Sequence, residues 1–424
     1  MQRILMIGLF CCGLLISWSG ISDAAGIAIA CSALGKEMEL CEHGVQAWEK
    51  ETGNTAKIVP TPNSATDRLG LYEQLLAAHS DAVDLFQIDI TWAGMLGPDM
   101  IDLSKYVPKS VLAEDFPRIV EADTWRGKLV ALPWFTDAGV LYYRKDLLEK
   151  YHLKPPETWQ QLSQEAATIQ QGERATGNSR FWGYVFQGKA YEGLTCDTLE
   201  WVASYGGGTF IAGDGKVTAD NPNAVKAIAW ATSTVGKIAP EGVLNYQEED
   251  ARGVFQSGNA AFMRNWPYAW ALVQSEGSPV RGKVEVEALP SGTAGGPHVA
   301  TLGGWNLAVS RFSHHPAEAA SLARFMTSDD EQRYRAIDGA FNPTIPALYH
   351  DPAVLKADPF LASLYPTITG ALARPSVVTG RLYSRASVAI FDAVLAALSG
   401  TATPAAAMHE LQRRLDRISH DGRW

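Results

Sequence analysis

The chain of 424 residues is longer than one ordinary hydrophobic core supports and calls for two lobes or domains. Its apolar content of 46% excludes a disordered polymer, and its formal net charge of −10 speaks against nucleic acid and anionic membrane surfaces as partners. Thirteen tryptophans are many for this length, and a share of them is expected to line a groove rather than a core.

The N-terminus reads as a targeting segment. Arg3 supplies a positive start, residues 4–18 form an apolar run too short for a confident span, and Ser22-Asp23-Ala24 resembles a small-residue cleavage site. Residues 1–24 are therefore expected to be a signal peptide, and the mature chain to be soluble and exported. Cys31, Cys41 and Cys196 remain after cleavage. Export permits a disulfide, Cys31 and Cys41 are the nearest pair in sequence, and three buried thiols are the alternative.

Residues 26–33 read as a first strand, and the pattern from 36 to 52 as an amphipathic helix closed by Gly53. A second strand covers 56–60. Ser64 or Thr66 caps the next helix, and residues 84–90 form a near-continuous apolar strand ending at Asp89. Strand and helix alternate here, which predicts a parallel sheet with right-handed crossovers. Ligands bind beyond the C-terminal strand ends of such sheets, where Gly35, Asp89 and Thr91-Trp92 fall.

The stretch from 132 to 148 organises the rest. An apolar segment leads into Asp137-Ala138-Gly139, and a second apolar run follows to Arg144. Two strands joined by a small flexible step fit this pattern, so the chain can leave one lobe here and enter another. Asp137 stands at the crossing beside Trp134 and Phe135. Aromatic faces and a carboxylate match the C–H faces and hydroxyls of a sugar. Beyond it, helices are expected near 145–151, 157–171, 195–205, 222–237 and 251–257, with strands at 181–186, 260–263 and 284–289. Gly206-Gly207-Gly208 lacks the Lys-Ser/Thr of a phosphate loop and reads as a helix stop. Leu302-Gly303-Gly304-Trp305 enters a strand, helices follow at 318–328 and 331–338, and Arg374-Pro375-Ser376 opens a polar loop before a helical tail from 384 to 418.

These landmarks include Ser64-Ala65-Thr66-Asp67-Arg68, Asp84 to Asp89, Tyr142-Tyr143-Arg144-Lys145-Asp146-Leu147-Leu148, Arg264-Asn265-Trp266 and Leu302-Gly303-Gly304-Trp305. In this order, over essentially the whole mature chain, the sequence resembles the extracellular solute-binding proteins of ABC sugar importers, and most of all their trehalose/maltose-binding branch. The resemblance implies an α/β clamshell of two lobes, each a mainly parallel sheet flanked by helices, with crossings near Asp137, Gly303 and Asp351. It implies a first lobe from 25–136 with 304–351 and a second from 137–303 with 352–424. It also implies a periplasmic monomer that holds an α-glucose disaccharide, trehalose or maltose, and hands it to the transmembrane permease subunits, with no cofactor, metal or nucleic acid.

Carried over residue by residue, the resemblance points to Thr66 and Arg68 as hydroxyl partners, and to Asp89 and Asp137 as carboxylates at a strand end and after the crossing. Trp266 and Trp305 match stacking aromatics, Gly304 admits a close backbone approach, Arg374 matches a ligand-facing arginine, and Glu39 an acid of the first helix. Phe135 stands where relatives can carry Tyr, which removes one hydroxyl, and Tyr383 is a candidate to replace a family Tyr, at a different spacing. Other readings stay open. Asp89 and Asp137 fit the carboxylate pair of a glycoside hydrolase, although no independent nucleophile motif accompanies them. Cys31, Cys41 and His43 form a weak metal cluster. A larger oligosaccharide or a glycerophosphodiester suits the same fold.

Overall fold

The computed structural model describes residues 26–424; the expected signal peptide, residues 1–24, lies outside the described residues. The chain begins in β1 (Gly26–Cys31), crosses over through α1 (Glu37–Thr52) to β2 (Thr55–Pro60), and returns through α2 (Ala65–Ala77) to β3 (Leu85–Asp89). β1 pairs in parallel with both β2 and β3, as the strand–helix alternation requires. Local chemistry sets the helix ends. Gly53 closes α1 at φ 76°, where a side chain is disfavoured, and the Ser64 hydroxyl caps α2 by accepting from the Asp67 N–H at 3.2 Å. The Cys31–Cys41 disulfide ties the end of β1 to α1.

β4 (Leu132–Ala138) is wholly buried and belongs to the first sheet; after Gly139, β5 (Val140–Arg144) belongs to the second. The second lobe continues through α3 (Trp159–Ala175), β6 (Trp182–Val185), α4 (Glu192–Ser204), α5 (Pro222–Thr234), α6 (Glu248–Gln256), β7 (Ala260–Asn265) and β8 (Val284–Ala288). Its sheet has the order β8-β5-β7-β6. The chain re-enters the first sheet as β9 (Leu302–Val309), which gives that sheet the order β2-β1-β3-β9-β4. β9 is antiparallel to both its neighbours, and β5 is antiparallel to both of its own, so the remaining strands of each sheet run one way.

α7 (Pro316–Met326) and α8 (Asp329–Gly339) then cover the first lobe. Asp351 caps a short helix, and α9 (Leu361–Thr369) follows. A third hinge segment forms at Leu372, whose backbone pairs with Ala300 and Leu302 beside the second crossing. α10 (Tyr383–Leu398) and α11 (Pro404–Ile418) close the second lobe. Apolar side chains fill both faces of the first sheet and the space between the second sheet and its helices. The molecule is thus a two-lobe α/β clamshell. The sequence reading of a mainly parallel sheet holds for strand direction, with one reversed strand in each sheet where the chain crosses.

Candidate ligand-binding cleft

Gly139 is the hinge step because nothing larger fits. A Cβ there would collide with the Glu200 carboxylate and would stand 2.6 Å from the Arg264 guanidinium. Gly304 is constrained in a second way. Its φ is 136°, and a Cβ would lie 2.6 Å from the Phe135 carbonyl oxygen of β4. That close approach, with the register shift after Trp305, sets the Trp305 ring at the mouth of the crossing.

A narrow cleft, with about 50 Å3 of space open to water, lies between the lobes. From the first lobe come Leu34, Glu37, Asn63, Asp89, Phe135, Phe341 and Trp305; from the second come Tyr191, Glu192, Cys196, Glu248, Trp266, Tyr268 and Arg374, with Asp137 and Gly304 at the crossings. Asp89, Asp137, Trp266, Gly304, Trp305 and Arg374, all expected from the sequence, line it together. Glu39 is exposed on α1 and lies outside the lining. Glu37 is buried and faces the cleft instead, because two residues turn a helix by about 200°.

Arg374 lines the cleft and also bridges the lobes. Its guanidinium bonds both oxygens of Asp89, at 2.8 and 3.1 Å, and the Glu192 carboxylate at 2.7 Å. Burial alone would lower its pKa, but Asp89 and its other neighbours outweigh burial and hold the guanidinium charged. The Asp89 carboxylate also accepts from the Thr91 N–H and hydroxyl. Thr66 spans the lobes too: its hydroxyl accepts from the Glu192 N–H at 3.0 Å. Tyr383 lies behind the cleft, where its hydroxyl donates to Glu192.

Asp137 differs from Asp89. It is 7% exposed, and its Oδ1 has no hydrogen-bond partner among the described residues. Burial, then the nearby Glu37, push its carboxyl well above the usual range, against the pull of Arg264 and Arg335. Burial also pushes Glu248 up. Such groups are stabilised by a ligand that brings hydrogen bonds with it.

The aromatic walls rest on buried arginines. The Arg68 guanidinium lies 4.1 Å over the Trp305 ring and outside the lining; its Nε donates to the Pro62 carbonyl. Arg264 lies 4.0 Å over Trp266 and is held in turn by Glu200 and Asp197. The sequence reading missed Glu37, Tyr191, Glu192, Glu248, Tyr268 and Phe341. Only Glu37 carried a usable signal: it falls on the buried stripe of α1 with Leu40, Cys41, Gly44, Val45 and Trp48. Because Cys31 and Cys41 are joined, neither offers the free thiolate that the metal reading required.

This arrangement occurs in known proteins. A probable ABC transporter-binding protein of Deinococcus radiodurans is 49% identical over 413 residues, covering 97% of this chain and 98% of that protein. A mannitol-binding protein of Pseudomonas aeruginosa is 25% identical over 299 residues, covering 67% of this chain and 66% of that one. Among solved structures, maltose-bound MalE3 of T. maritima superposes with a TM-score of 0.89 at 41% identity, covering 93% of this chain and all of that one. Residues 38–333 match the bacterial extracellular solute-binding protein family. With two lobes, three hinge segments and a walled cleft between them, the chain belongs to that family.

Proposed function

We propose that this protein is the periplasmic binding component of an ABC sugar importer, capturing an α-linked glucose disaccharide, trehalose or maltose, and delivering it to the permease. The observation that carries the reading is a cleft with an indole on each lobe, Trp305 and Trp266, and an unpartnered buried carboxyl, Asp137, between them. Indole faces exclude water from sugar C–H surfaces, and charged or polar acceptors replace the water lost by hydroxyls. The maltose bound in the T. maritima relative agrees with this choice.

The cleft closes by the approach of a first lobe, about 25–136 with the stretch from 304, to a second, about 137–303 with the tail, and the third crossing is at Leu372 rather than near Asp351, where the resemblance put it. The protein works as a monomer, without cofactor or metal. Two readings lose support from the geometry. A phosphate would need a free arginine, and Arg374 is committed to Asp89 and Glu192. A glycoside hydrolase would need Asp89 as a free acid or nucleophile, and Arg374 occupies both its oxygens.

Titration calorimetry of the mature protein with trehalose, maltose, sucrose and glucose tests the proposal. Saturable one-to-one heat with trehalose or maltose is expected, with no glucose released on long incubation. Silence with both disaccharides, or turnover of either, overturns it. Trp305→Ala is expected to weaken binding by ~2 kcal/mol or more, the usual loss of an aromatic anchor.

A further inference from the structure

Asp123 is fully buried, and the one charged neighbour that acts on it among the described residues is another acid, Asp115. Its Oδ1 accepts from the Asn306 side-chain amide at 2.5 Å. Its Oδ2 has no partner among the described residues, and neither has the amide oxygen of the same Asn306. A buried polar group without a partner is costly, and here two such groups stand on residues already joined by a hydrogen bond. Both are satisfied at once if the carboxyl keeps its proton. A carboxylic acid donates from one oxygen and accepts at the other, and a primary amide offers the same two groups in the complementary order. Burial, and then Asp115, push the Asp123 carboxyl well above the usual range, against the opposing pull of the Asn306 amide.

The place of this pair gives it a task. Asn306 follows Trp305 in β9, and the register against β4 shifts between them: Trp305 pairs with Phe135, and Asn306 with Pro133. Trp134 is left over on β4, and Pro133 has no N–H to give to the ladder. Backbone pairing on this side therefore specifies β9 weakly at the residue next to the cleft ring. Asp123 itself is fixed. It ends the helix Pro117–Ala122, its N–H donates to the Ile119 carbonyl at 3.0 Å, and its carbonyl accepts from the Val130 N–H at 2.9 Å.

We propose that Asp123 is a positioning residue of the ligand cleft, whose carboxylic acid pairs with the Asn306 amide through both edges and so pins β9 where its register shifts, setting the Trp305 ring. The effect on affinity rests on the sugar-binding reading above. Register shifts re-aim neighbouring side chains, and a ring fixed before the ligand arrives loses less freedom on binding. Asp123 acts through Asn306 and Trp305 and touches no sugar itself.

Asp123→Asn and Asp123→Leu test this together. Asparagine keeps an edge that both donates to and accepts from Asn306, whereas leucine fills a similar volume and offers neither. Asp123→Asn is expected to bind the disaccharide within about twofold of the native protein, and Asp123→Leu about fivefold more weakly. In a Trp305→Leu background the Asp123→Leu loss is expected to vanish, since the ring it acts through is gone. In ligand-free protein labelled with 5-fluorotryptophan, the Trp305 resonance, assigned by its loss in Trp305→Phe, is expected to shift or split in Asp123→Leu and to hold in Asp123→Asn. The infrared difference between native protein and Asp123→Asn at neutral pH is expected to show one protonated carboxyl C=O band. A carboxylate signal in its place overturns the pair. Native affinity with an unmoved resonance in Asp123→Leu, an equal loss in Asp123→Asn, or a full further loss in the Trp305→Leu background overturns the positioning role. If Asp123→Leu does not fold, Asn306→Ser, which breaks the pair from its other side, carries the same readouts. If no sugar binds the native protein, the sugar reading fails, while the infrared band and the fluorine resonance still decide whether the pair exists and holds the ring.

Discussion

Asp115 shows how burial writes a pH dependence into this fold. Its carboxyl accepts from the Thr344 hydroxyl at 2.5 Å, yet burial pushes it up to about 7. Burial likewise lifts Glu165 to about 7 and Glu287 to about 8. An unfolded Asp titrates near ~4, so between about pH 4 and 7 the folded state keeps a proton that the unfolded state has released. Stability is therefore lost, not gained, as pH rises through that window. Asp115→Asn is expected to remove this group's share and flatten the decline, read as urea midpoints at pH 4.5 and 7.5; equal slopes in the two proteins would sink the assignment. The residue scale is also where sequence reading was weakest. The resemblance pointed to Glu39 as the acid of the first helix, whereas Glu37, on the buried stripe of that helix, is the one that lines the cleft. Glu192, Glu248 and Tyr191 have no local signature at all, since their neighbours in the cleft come from distant parts of the chain.

At the scale of elements the sequence was far more explicit. The apolar run broken at Gly139 gave β4 and β5, and Gly303-Gly304 marked the return through β9, because hinge steps demand small residues that local pattern exposes. Pattern did not yield the short helices between 93 and 122, nor the pair of helices after Asp351. α9 carries Pro366 in its interior, which local rules read as a break. The disulfide belongs at this scale as well. It closes a loop of 10 residues between β1 and α1, and that loop carries Leu34 and Glu37, both on the cleft. Chain entropy gives such a crosslink ~2–3 kcal/mol. The double variant Cys31→Ser with Cys41→Ser is expected to lower the unfolding free energy by about that amount in denaturant and to weaken sugar binding, because Glu37 loses its fixed approach. A variant as stable and as tight-binding as the native protein would show that packing alone holds the loop.

The whole molecule turns on contacts that join the lobes, and these are the least local of all. Arg374 holds Asp89 of the first lobe and Glu192 of the second; the Thr66 hydroxyl meets the Glu192 N–H; Tyr268 packs on Gly35. Opening the cleft must part Arg374 from at least one carboxylate. Closing it without Arg374 would bring two carboxylates together with no cation between them, which is strongly unfavourable in a buried site. Arg374→Gln is therefore expected to lower the population of the closed form without removing either tryptophan face. Apparent affinity scales with the fraction of molecules able to close, so the sugar should bind at least tenfold more weakly, with the change mainly in dissociation rate. Small-angle scattering gives the direct check. The native protein is expected to contract when saturated with sugar, and the variant to need a correspondingly higher sugar concentration for the same contraction. Contraction of the variant at the native sugar concentration would show that the indoles alone drive closure and that Arg374 serves only to neutralise Asp89. Adding salt should barely alter the native midpoint, because the pair is buried beyond the reach of screening. A strong salt effect would place the closing force on the exposed rim instead.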